Sequence, residues 1–170
     1  LAIATRSFGG ELVMQTYQLR DEAATIAMGK AIGKLLQPND VLILDGDLGA
    51  GKTTLTKGIA QALGIRRYVK SPTYTIVHEY RDGDVPLFHI DAYRLEDGSA
   101  DDIGLDEYFG GDGVTVVEWP QFIQGYLPAE YLKIALDRNH DNSQRFLTLE
   151  PNGEHYQNIE VTIEEQMNGR

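Results

Sequence analysis

Residues 46–58 read GDLGAGKTTLTKG and follow directly on VLILD at 41–45. A short apolar run, bounded by Asn39-Asp40 on one side and by glycine on the other, is the pattern of a parallel strand covered on both faces. Immediately after it, Gly46 to Thr53 matches G-x-x-x-x-G-K-[ST] at every fixed position. Beyond the loop, Leu55, Ile59, Ala62 and Leu63 fall on one helical face, and Gly64 is placed to close that helix. Strand, glycine loop and helix in this order predict a loop that grips phosphate.

The chemistry of such a loop follows from its backbone. Glycines allow the chain to curl so that its N–H groups point inward, and the helix N-terminus adds partial positive charge beneath an anion. Gly49, Ala50, Gly51, Lys52 and Thr53 are therefore the expected nucleotide-binding residues. Lys52 would bridge the β- and γ-phosphates, and the Thr53 hydroxyl would join a magnesium shell. Phosphoryl chemistry also needs carboxylates near the metal. Asp91 ends the run Leu87–Ile90 and Glu118 ends Val114–Val117, so both are expected at the carboxyl edge of a sheet, where open α/β folds place ligands. Guanine-specific loops carry an N-K-x-D element; the chain has no Asn-Lys pair, which favours ATP and ADP.

The remaining segments complete an α/β pattern. LVMQTYQL at 12–19 reads as a strand, and Asp21 suits the N-cap of a helix that ends near Gln37-Pro38. TYTIVHEY (73–80) and PLFHI (86–90) flank the turn signal Asp82-Gly83 and are expected to pair antiparallel. The acidic stretch 96–102 reads as a loop or an irregular turn, LDEYFG as a short helix, and 131–137 with 145–150 as two closing strands. The fold class is α/β of the P-loop NTPase kind: a central mixed, mostly parallel sheet flanked by helices, with antiparallel additions. One domain spans 1–170, with frayed ends at 1–10 and 163–170.

Composition narrows the function. A net charge of −11 repels a phosphate backbone, so any role near RNA runs through a partner. The basic RRYVK at 66–70 reads as a solvated loop. The absence of cysteine excludes a disulfide framework, a thiolate zinc site and cysteine catalysis. No membrane-spanning run and no signal-peptide core are visible, so the expected location is cytoplasmic.

The segments DEAATIAMG, GDLGAGKTT, VKSPTYTIVHEY, FHIDAYRL and VEWP occur together and closely resemble the TsaE family, formerly YjeE, over about Asp21 to Pro128. The resemblance implies a magnesium-dependent ATPase of bacterial tRNA threonylcarbamoyladenosine synthesis. It implies a helper that joins TsaB and TsaD, which modify adenosine 37 of tRNAs reading codons that begin with adenine, and that meets tRNA only through that complex. On matching positions, Lys52, Thr53 and Thr54 would line the nucleotide, Thr53 and Glu118 would hold magnesium, and Asp91 would position or activate water. Thr73 resembles a switch threonine sensing the γ-phosphate, and Trp119 lies close enough to report on the site. Glu22 would approach the nucleotide away from its phosphates, and Arg145 is the nearest counterpart of a family arginine that touches nucleotide. Two other readings stand beside this one: a P-loop kinase acting on a small metabolite through Asp91 and Arg94, and a nucleotide-sensing scaffold without useful hydrolysis.

Overall fold

The apolar run at 41–45 lies inside a sheet, as its composition requires. The computed structural model describes residues 2–3, 14–47, 49–71, 76–97, 99–139 and 144–169. Its strands are β1 (Ala2–Ile3), β2 (Gln15–Leu19), β3 (Val41–Asp45), β4 (Val77–Tyr80), β5 (Leu87–Asp91), β6 (Val114–Glu118), β7 (Tyr131–Arg138) and β8 (Arg145–Asn152). Its helices are α1 (Glu22–Gly33), α2 (Lys52–Ala62), α3 (Leu105–Phe109) and α4 (Glu154–Asn168). All eight strands join one sheet in the order β1-β2-β8-β7-β3-β6-β5-β4.

The centre of the sheet is parallel: β3 pairs with β6 and β7, and β6 with β5. The flanks are antiparallel, through β4 with β5, β7 with β8, β8 with β2 and β2 with β1. The expectation of a mixed sheet with antiparallel additions holds, with the parallel portion confined to the centre. Strand alternation then divides the core. Leu42, Leu44, Val114 and Val116 pack under α1, α2 and α4. Val41 and Val117 face the opposite side, beneath α3 and short 3-10 turns. Each fully buried Leu or Ile contributes about 1.5–3 kcal/mol, which fixes this strand at the centre.

Helix α1 begins where Asp21 accepts the Ala24 amide at 2.8 Å. It ends earlier than expected, at Gly33, because the Leu35 and Leu36 amides bond to carbonyls three residues back, at 3.0 and 3.3 Å, and tighten the chain. α1 and α2 touch backbone to backbone. A Cβ on Gly58 would overlap the Ile26 carbonyl oxygen, and one on Gly29 the Leu55 carbonyl oxygen. This close crossing sets the first turn of α1 beside the first turn of α2. Of the two readings of the acidic stretch 96–102, the turn is the one found, with 3-10 turns over Ala92–Asp97 and Ser99–Ile103. The basic run 66–70 folds back on the β4–β5 turn, with the Arg66 and Arg67 amides donating to Asp82 at 3.0 and 3.2 Å.

Of the end expected to fray at 1–10, only Ala2 and Ile3 are described, paired with Tyr17 and Thr16 respectively, and the rest lies outside the described residues. The end expected to fray at 163–170 needs correction. The tail after Thr162 belongs to α4, whose buried Tyr156, Ile159 and Ile163 form the i, i+3, i+7 stripe of a docked helix. Its docking is anchored by the Tyr156 hydroxyl, which accepts the Val41 amide at 2.9 Å. No helix among the described residues is long and apolar enough to cross a membrane.

The α4 contact carries a cost. Gln15 Nε2, Tyr17 Oη and Glu160 Oε2 are buried without hydrogen-bond partners. Burial, reinforced by the charge of Glu164, raises the Glu160 carboxyl from 4.5 to about 7. The folded state therefore holds this proton more tightly than the unfolded chain. A destabilising contribution on the order of 2–3 kcal/mol develops as pH rises from the unfolded value and is complete above the folded one. Glu160→Gln is expected to melt above the wild type at pH 8 and close to it near pH 5. An equal difference in melting temperature at both pH values would contradict this origin.

Candidate functional site

The carboxyl ends of β3, β5 and β6 meet the start of α2. The loop after β3 takes backbone that side chains resist, with Gly49 at φ 81° and Gly51, the residue capping α2, at φ 109°. This frees the first amides of α2 toward the loop interior, where an anion would satisfy them. Lys52 opens the helix, and Thr53 and Thr54 follow it, half-buried.

Lys52 is itself buried, at 7 % exposure, and so is Glu118, at 5 %. Lys52 Nζ lies 3.5 Å from Glu118 Oε1 and 4.8 Å from the centre of the Trp119 ring. The other carboxylate oxygen, Oε2, sits 2.5 Å from His89 Nε2. An ionised carboxylate only accepts, so the histidine nitrogen donates here. Burial works against the Glu118 charge, but the His89 hydrogen bond and the nearby charges of His89 and Lys52 hold the carboxyl below its ordinary range. It stays ionised.

Asp91 is the register partner of Glu118 on the neighbouring strand and is 5 % exposed. Burial pushes its carboxyl above the ordinary value; the Tyr93 amide, donating to Oδ1 at 3.0 Å, pulls it back, and the charge of Glu118 adds to the rise. The two adjacent carboxylates are thus shifted in opposite directions, Asp91 up by its burial and Glu118 down by its two cationic neighbours. Trp119 adopts the left-handed region at φ 58° as it turns the chain out of β6, and its ring meets Tyr93 edge-on at 5.3 Å. Such strain costs on the order of 1–3 kcal/mol in a non-glycine residue and collects at functional positions.

A second group lies beside the first. Glu22, Thr25, Gly51, Thr54 and Arg145 line a cleft of about 220 Å³ between the starts of α1 and α2 and the start of β8. The structure therefore gathers the expected residues into two adjoining sets: Lys52, Asp91, Glu118 and Trp119, and Glu22, Gly51, Thr54 and Arg145. Gly49 and Ala50 lie in the loop between them. Thr73 falls outside the described residues. Ile76, just after that segment, accepts the Asp91 amide at 2.7 Å and is itself left-handed at φ 61°.

Two residues went unassigned in the sequence reading. His89 precedes Asp91 by two positions, so strand alternation alone puts both on one face. Arg138 was hidden, because only the β7–β8 register shows it opposite Arg145, with its Nη1 3.7 Å from where a Cβ on Gly49 would sit. Both arginines thus stand against the loop, where like charges across a strand pair favour a bound anion between them.

The residues fit a magnesium nucleotide by their donor types: a hydroxyl and two buried carboxylates, all hard oxygens, beside a phosphate loop. Among the described residues no group of three or more His, Cys, Asp or Glu side chains is gathered to cage a metal.

Comparison with known proteins places the chain in a family. The family model described as "Threonylcarbamoyl adenosine biosynthesis protein TsaE" matches residues 19–147, further than the segment to Pro128 and so including Arg138 and Arg145. The chain is 52% identical over 133 residues to the tRNA threonylcarbamoyladenosine biosynthesis protein TsaE of Bacillus subtilis, covering 78% of this chain and 83% of that protein. It is 38% identical over 128 residues to the protein of the same name from Haemophilus influenzae, covering 72% and 81%. A crystal structure of Bacillus subtilis YdiB superimposes with a TM-score of 0.81 at 39% identity, covering 94% of this chain and all of that one.

Trp119 is the only tryptophan, which makes the site readable by emission. Phosphate entering the loop is expected to draw Lys52 off the indole face and change its fluorescence saturably. Lys52→Ala is expected to abolish the nucleotide-dependent change. An unchanged response in that variant would separate Trp119 from the loop.

Proposed function

The chain belongs to the TsaE family, and on that premise we propose that it is a P-loop ATPase acting in tRNA threonylcarbamoyladenosine synthesis. It binds ATP with magnesium and supports a TsaB–TsaD complex in modifying adenosine 37 of tRNAs reading codons that begin with adenine. It does so by regulating or resetting that complex and does not perform the transfer. The observation that carries this reading is the meeting of Lys52 with Glu118, beside Asp91, at the end of a glycine loop.

Each residue has a part that follows from its surroundings. The loop amides and Lys52 hold the phosphate chain, with Lys52 giving up Glu118 for the more highly charged ligand. Thr53 and Glu118 would hold magnesium, which supplies charge neutralisation at the phosphate oxygens. Asp91, buried and raised in proton affinity, orients a water and accepts its proton. Glu22 and Arg145 line the cleft expected to receive the nucleoside end, and Thr73 senses the γ-phosphate. The net charge of −11 fits a protein that acts on a protein complex and leaves tRNA to its partners. A cytoplasmic site of action follows from the same reading.

The test is repeated-round tRNA modification by TsaB and TsaD. Multiple rounds are expected with this chain and ATP, and about a single round without the chain or with a non-hydrolysable analogue. Asp91→Asn is expected to bind nucleotide normally while losing about 10²–10⁴-fold in hydrolysis, and to support a single round only. Full pathway activity in that variant would favour a nucleotide-sensing scaffold, and label from ATP appearing in a new small metabolite would favour a kinase.

A further inference from the structure

We propose that His89 is the positioning residue that keeps Glu118 in place when Lys52 leaves it for a nucleotide, an inference that rests on the nucleotide reading above. Strand alternation turns His89 to the same side of β5 as Asp91, and its ring is fully buried, at 0 % exposure. The two oxygens of Glu118 are divided between two donors, Oε1 toward Lys52 at 3.5 Å and Oε2 toward His89 at 2.5 Å. These donors differ in freedom. Lys52 sits on a long flexible stem at the head of α2, aimed at the loop where phosphate binds. The imidazole is locked inside the sheet and cannot follow.

When Lys52 turns to phosphate, the His89 hydrogen bond alone fixes the rotation of the carboxylate and leaves Oε1 directed at the site. Carboxylates that hold a metal depend on such supporting bonds for their orientation. The other ring nitrogen gives a second argument. His89 Nδ1 is buried and has no partner. An unsatisfied buried polar atom is costly, and an apolar side chain at this position would avoid the cost. What the histidine uniquely supplies is the donor at Nε2.

Three variants separate orientation from packing: His89→Gln, which carries a donor near the Nε2 position; His89→Asn, whose donor falls short; and His89→Leu, which has none. Trp119 emission would be followed while magnesium is titrated into protein saturated with a non-hydrolysable ATP analogue, and separately while the analogue is titrated in the presence of EDTA. The magnesium needed for half-saturation is expected to rise about 10–100-fold in the Asn and Leu variants. It is expected to stay near wild type in the Gln variant, with metal-free analogue affinity preserved in all three. If His89→Leu does not fold, the contrast between Asn and Gln decides.

Magnesium titrations that match wild type in every folded variant overturn the positioning role and leave the nucleotide reading intact. So does an equal loss of magnesium and metal-free analogue affinity in all variants, Gln included, which marks a packing role. A wild-type chain that gives no emission change with the analogue, while equilibrium dialysis also finds none bound, overturns both.

Discussion

A lysine and a glutamate, both nearly inaccessible, face each other at the mouth of the phosphate loop, and the site is organised around that pair. Buried ion pairs rarely justify themselves by stability, because desolvating two charges consumes most of what their attraction returns. A pair that must open for a ligand is a different matter. Glu118 holds the Lys52 ammonium in place, and the His89 hydrogen bond with the charges of His89 and Lys52 keeps Glu118 ionised against its burial. Under the proposed function the site is already charged in the sense a phosphate needs, and nucleotide entry would be an exchange of partners.

The sheet makes this exchange possible through register. Asp91 and Glu118 are neighbours because β5 and β6 pair in parallel with both strands ending together, and Lys52 reaches them because β3 lies next to β6. The close α1–α2 crossing brings Glu22 and Thr25 to the head of α2, so the cleft is continuous with the loop. The β7–β8 hairpin closes the other side with Arg138 and Arg145. Four segments distant in sequence thus converge on a loop of eight residues, Gly46 to Thr53.

Much of this was legible in the chain. The run VLILD could only be a buried strand, and the glycine pattern after it specified loop and helix together. Asp91 and Glu118 were visible as acids closing apolar runs. What escaped has physical reasons. The last turns of helix α4, after Thr162, were read as a frayed end because their polar face, rich in glutamate, dominates composition, although Tyr156, Ile159 and Ile163 carry the period. Arg138 depends on a pairing register that no local pattern encodes. His89 lay within a quoted segment, but its role appears only when Glu118 is seen beside it.

In the proposed function, nucleotide takes Lys52 from Glu118. A crystal structure of the chain with magnesium and ADP tests this directly. Lys52 Nζ is expected to lie within hydrogen-bond distance of a phosphate oxygen and well beyond its present 3.5 Å from Glu118, with the His89–Glu118 bond intact. A bound nucleotide that leaves the Lys52–Glu118 contact unbroken, with its phosphates outside the Gly46–Thr53 loop, would contradict the account.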